Sequence, residues 1–81
     1  MFDVEVHFVS NTDFVLVTPF ATYRIPRSYF LTLAKASDEE LLKVVMYKSY
    51  TERFECGFVY SFFWYDLDDI FDADQFEKFA V

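Results

Sequence analysis

The chain has 81 residues, fourteen acidic against seven basic side chains for a net charge of −7, and an aromatic set of twelve Phe, six Tyr and one Trp. Hydrophobic residues make up 54% and there are one Gly and two Pro, so packing side chains are too abundant for a disordered or collagen-like chain. At 9.7 kDa a folded chain buries about 64% of its unfolded surface, enough for one domain over residues 1–81 and too little for two.

Residues 2–9 alternate Phe2, Val4, Val6 and Phe8 against Asp3, Glu5 and His7, the period of a half-buried strand. Ser10, Asn11, Thr12 and Asp13 form a turn cluster, and the run Phe14 to Thr18 follows as the second strand of a hairpin. Pro19 lacks a ladder donor and ends that strand, and Phe20 to Ile25 offers a third. Pro26 suits the first turn of a helix over Arg27 to Ala36, with Tyr29, Phe30 and Leu33 on one face. Ser37-Asp38-Glu39-Glu40 is a capping box that opens a second, short helix before the β-forming run Val44 to Tyr50.

Residues 54–65, from Phe54 to Tyr65, are dense in aromatic strand formers and predict a central strand, with Gly57 near its start placed to make a bulge. After Asp66, the residues Leu67, Ile70, Phe71, Phe76 and Phe79 recur at roughly helical spacing and predict an acidic C-terminal helix. The expected fold is α+β: one antiparallel sheet of four to five strands, with one or two helices on one face and that terminal helix.

The charge is polarised along the chain. Residues 1–20 carry −3, residues 21–53 carry +2, residues 54–65 carry −1, and residues 66–81 carry −5. Six carboxylates after residue 65, Asp66, Asp68, Asp69, Asp72, Asp74 and Glu77, face one Lys78 and would repel phosphates while attracting a basic surface. On a helix, several of these lie three or four residues apart, like charges held close at a cost to the helix. They therefore read as a partner-binding set, with Trp64, Tyr65, Phe71 and Phe76 as aromatic anchors. The competing reading is an acidic segment that keeps an aromatic-rich domain soluble.

Chemistry has little support. Asp3, Glu5 and His7 share one strand face but converge poorly on an ion, so no metal is expected. Cys56 sits in an apolar strand with no argued base beside it, and a single glycine excludes phosphate-cradling loops. No catalytic residue or cofactor is expected. Cys56 cannot close an internal disulfide, Asp3 and Glu5 stand where a signal peptide is basic, and no charge-free run reaches membrane-spanning length, which points to the cytoplasm.

In size and acidity the chain resembles the small inhibitors that phages encode against host defence or host polymerase, such as anti-CRISPR and anti-restriction proteins. The resemblance implies a non-enzymatic inhibitor occupying a basic, nucleic-acid-binding surface of its partner, in the host cytoplasm. Two other readings stand beside it: a structural subunit that homodimerises through its aromatic strand, and a weak single-stranded nucleic-acid binder using Arg24, Arg27, Lys35, Lys43, Lys48 and Arg53 with nearby Tyr rings.

Overall fold

The computed structural model describes residues 1–81 except Arg53, Phe54 and Cys56. The N-terminal alternation forms strand β1 (Glu5–Phe8), which pairs antiparallel with β2 (Asp13–Val17), and β2 pairs with β3 (Thr22–Pro26). Side chains explain both turns. The Ser10 hydroxyl accepts the N–H groups of Thr12 and Asp13 at 3.2 and 3.1 Å, and the Thr18 hydroxyl accepts those of Phe20 and Ala21 at 3.1 and 2.9 Å. β2 stops at Val17, two residues before Pro19.

The helix expected over Arg27 to Ala36 is broken in two. A 3-10 turn covers Arg27–Tyr29 and helix α1 covers Leu31–Lys35, because Phe30 between them is extended, at φ −112° and ψ 127°. That backbone sends the Phe30 ring to Phe71 and Phe76, at centroid distances of 4.8 and 5.1 Å. Packing overrides helical periodicity at this residue. The capping box is present as expected: Ser37 and Glu40 exchange side-chain to backbone bonds of 2.9 and 3.2 Å, and helix α2 runs Asp38–Leu42. Arg27 ties the helices together, donating to the Ala36 carbonyl at 2.6 Å and to the Asp38 carboxylate at 2.7 Å.

The remaining strands form a second sheet. β4 (Val44–Tyr50) pairs antiparallel with β5 (Phe58–Trp64), and β5 pairs with β6 (Asp69–Asp72). The expected single sheet of four to five strands is therefore two sheets of three, β1-β2-β3 and β4-β5-β6. Residues 27–42 carry the chain from one sheet to the other, so β3 and β4 are not neighbours. Gly57 makes no bulge: the β4–β5 register is unbroken, and the glycine, at φ 78°, lies in the connection before β5.

The acidic C-terminal helix does not form. Asp68 takes the left-handed region at φ 50° and turns the chain back, so Asp69–Asp72 becomes strand β6. A 3-10 helix over Ala73–Phe79 follows. Helical placement of these aspartates would have stacked like charges, whereas a strand alternates them. The inward alternation then brings Phe71 into the core.

The two sheets face each other across one core. Phe14, Leu16, Tyr23 and Ile25 come from the first sheet; Val44, Met46, Phe62, Trp64 and Phe71 come from the second; Leu33, Leu41 and Phe76 close the ends. A single bridge ties Phe2, ahead of β1, to Met46 of β4, and another ties Tyr23 of β3 to Ala80 after the 3-10 helix. Phe76 is fully buried against Phe62, Tyr23, Trp64 and Phe71. Phe76→Ala should therefore cost about 3–5 kcal/mol, and exposed Glu77→Ala should stay within about 0.5 kcal/mol, both read from urea unfolding. Equal midpoints for the two variants would show that the 3-10 helix is not part of the core.

Candidate functional site

The expected partner-binding residues separate into three environments. Trp64, Phe71 and Phe76 are core residues, so these three supposed anchors support the surface from beneath and do not present it. The β5–β6 turn presents Tyr65, Asp66, Asp68 and Asp69. Of these, Asp66 accepts from Lys43 Nζ at 2.8 Å, and Asp69 Oδ1 accepts the Ile70 N–H at 3.1 Å. Asp72 is half-buried at the end of β6, where its carboxylate accepts from the Ser61 hydroxyl at 3.2 Å and its N–H donates to Gln75 Oε1 at 2.8 Å. Asp74 and Glu77 are exposed on the 3-10 helix.

Asp74 and Glu77 line an open groove of about 640 Å³ with Tyr29, Phe30, Gln75 and Lys78. The Lys78 ammonium fills part of it, 4.0 Å from the Tyr29 ring centre and in contact with the Tyr29 hydroxyl. On the inner side, burial first and the charge of Glu77 second push the Tyr23 hydroxyl above its ordinary range.

Strand register identifies a surface that the sequence did not single out. Val45, Phe63 and Ile70 are cross-strand partners in one row, Tyr47, Ser61 and Asp72 in the next, and Ser49 and Val59 in a third. Their neighbours Val44, Met46, Phe62, Trp64 and Phe71 point into the core, so these rows point outward. Val45, Tyr47, Val59 and Phe63 are half-buried and Ile70 is 53% exposed. The outer face of the first sheet differs in character: Glu5, His7, Thr22 and Arg24 flank Val15 and Val17 on it, with Arg24 paired to Asp13.

The missed face left only a faint signal. In Val44 to Tyr50 and Phe58 to Trp64 both parities are apolar, which is readable as a strand covered on both sides, but only register shows which parity the core takes. β5 is hydrogen-bonded to β4 along its length and to β6 over Ser61–Trp64. The edge-to-edge dimer expected through this strand would find Ser61–Trp64 already paired on both sides.

Three of the chain's seven basic side chains are held in ion pairs among the described residues. Arg24 pairs with Asp13, Arg27 with Asp38 and Lys43 with Asp66, at 2.9, 2.7 and 2.8 Å. The hydrogen bond from Lys43 to Asp66 holds the ammonium's pKa up. A patch for single-stranded nucleic acid is correspondingly broken up, and Arg53 lies outside the described residues. Cys56 also lies outside them. His7 Nε2 is 3.3 Å from Glu5 Oε2. Among the described residues no three His, Cys, Asp or Glu side chains form a group that could hold a metal ion, and no helix is long and apolar enough to cross a membrane. The surface presents carboxylates beside apolar side chains.

No family model matches the chain, and neither a curated protein nor a solved structure matches it.

The hydrogen bond from Arg24 Nε holds the Asp13 carboxyl below its ordinary value of 3.8. The folded chain therefore binds that proton less readily than the unfolded chain, and the pair's contribution is present above 3.8 and lost as pH falls through the lower folded value. In urea unfolding across a pH series, the stability lost in Asp13→Asn should be constant from neutrality to about pH 5 and shrink on further acidification. A loss that grows with acid would contradict the assignment.

Proposed function

We propose that this chain is a non-enzymatic, cytoplasmic protein-binding module, an inhibitor that docks an acidic surface onto a basic, nucleic-acid-binding surface of its partner. The observation that carries this reading is the distribution of unpaired charge. Three of the basic side chains are neutralised by ion pairs, whereas Asp68, Asp74 and Glu77 are exposed with no ion pair among the described residues. The three pairs remove as many carboxylates as basic groups, so the acid excess persists, and Asp68, Asp74 and Glu77 place part of it from the β5–β6 turn to the 3-10 helix.

Tyr65 is the exposed aromatic within this region, 49% accessible and beside Phe63 at a ring distance of 6.4 Å. Tyrosine in that setting contributes apolar contact with little loss of side-chain freedom. Trp64, Phe71 and Phe76 fix the backbone that carries the carboxylates, so the acidic array is held in place before a partner arrives. Such pre-organisation favours fast, electrostatically steered association.

Binding of fluorescent oligolysine to the full chain, followed across a salt series, tests the reading. Asp68→Lys, Asp74→Lys and Glu77→Lys combined should slow association at low salt by about tenfold or more and flatten its salt dependence. All three positions are exposed, and Lys at the left-handed Asp68 adds a strain of about 1–2 kcal/mol, so unfolding of the variant is not expected. Unchanged kinetics would sink the electrostatic reading.

A further inference from the structure

The outer face of β4-β5-β6 is a sheet surface built as if to be covered. Antiparallel sheets packed on one face normally alternate apolar inward with polar outward, and the first sheet's outer face approaches that rule. The second does not: Val45, Phe63 and Ile70 form an unbroken apolar row across all three strands. With strands about 4.8 Å apart, the row is about 10 Å wide, matching the width of one helix or a narrow ribbon. Below it Ser61, 1% exposed, is bonded to Ser49 at 3.3 Å and Asp72 at 3.2 Å, so the hydroxyls are satisfied within the sheet and demand nothing of a ligand.

Charge decides between occupants. Asp66 and Asp68 stand at the β5–β6 turn on one side of the row, and Asp72, in the Ser61 row, lies on the other side, so carboxylates border the row at both ends. Lys43 at the start of β4 is already bound to Asp66. A second copy laid face to face would bring these carboxylates against their own kind in a chain of net charge −7. A strand added at the β6 edge is also disfavoured, since the Ile70 and Asp72 N–H groups are held by Asp69 Oδ1 and Gln75 Oε1.

We infer that this face seats an amphipathic basic segment of a partner protein, with apolar side chains against Phe63 and Ile70 and Lys or Arg side chains that meet Asp66 and Asp68 at the turn and Asp72 on the other side of the row. The inference rests on the acidic-docking reading and adds to it that affinity depends on apolar contact at the sheet face. Charge alone would steer a partner without selecting an amphipathic one.

The test uses the isotope-labelled full chain and two probes: a Leu/Lys peptide patterned as an amphipathic helix, and oligolysine of the same charge. The amphipathic peptide should bind at least about tenfold more tightly and shift the amides of Val45, Phe63 and Ile70, while oligolysine shifts only those around Asp66 to Asp69. Ile70→Ser, at an exposed position, should abolish the difference between probes and leave oligolysine binding as it was. Equal affinity for the two probes would overturn the inference and leave the acidic-docking reading standing. If neither probe binds at low salt, both fall. Concentration-dependent shifts of the same face without a probe, with a dimer in sedimentation, would overturn the inference in favour of a second copy.

Discussion

Trp64 is the side chain on which the rest of the structure depends. Its ring meets Phe14 of the opposite sheet at 6.4 Å, Phe71 at 5.6 Å and Phe76 at 6.2 Å, so one residue joins both sheets and the C-terminal 3-10 helix. Its indole N–H donates to the Leu41 carbonyl at 3.1 Å. That carbonyl lies in the last turn of α2, where a helix leaves its acceptors without intrahelical partners, and the bond is buried. A buried carbonyl left unpaired would cost about 1–3 kcal/mol. The indole thus satisfies the helix end and fixes it against the sheet at the same time.

Placing Trp64 inward sets the orientation of everything after it. Period-two alternation sends Phe63 and Tyr65 to the other side, and the left-handed Asp68 returns the chain so that Phe71 joins Trp64 in the core while Ile70 joins Phe63 outside. The carboxylates between Asp66 and Asp72 are carried on the turn and strand created by that reversal. The acidic surface and the aromatic core are therefore two sides of the same short stretch, and a slip of one residue in register would exchange them.

Local chemistry was legible in the sequence wherever a side chain acts on its own backbone. The Ser10 turn, the stop before Pro19 and the Ser37–Glu40 capping box are all present, because each depends on residues within three positions of one another. Pairing was not legible. Whether β4 adds to β3 or starts a second sheet depends on how residues 27–42 pack, and no local preference encodes that. The helix expected after Asp66 failed for a related reason: the spacing of Leu67, Ile70 and Phe71 fits a helix, but burial of Phe71 beside Trp64 is obtained from a strand. The candidate site was legible in its charge and not in its aromatics. Acidity predicts exposure at Asp68, Asp74 and Glu77, whereas Trp64 and Phe76 look alike as anchors or as core until the sheet they belong to is known.

The aromatic surplus closes the argument. A domain of this size encloses few large rings completely; Phe14, Phe62, Trp64 and Phe76 have no exposed surface, and Phe20, Tyr29, Tyr50 and Tyr65 remain exposed. Several of the exposed rings are engaged locally: Phe20 stacks on Tyr60 at 4.7 Å, and Tyr29 packs on Phe30 and Phe79, each at 4.9 Å, beneath the Lys78 ammonium. The row through Phe63 and Ile70 is different, because its apolar surface is aligned across three strands and lies beside carboxylates of a single sign. Scattered exposed rings need no explanation, but a contiguous apolar strip with carboxylates on either side has the layout of a contact surface. The same residues that complicate the solubility of an aromatic-rich chain thereby form the strip on which the proposed basic partner would sit.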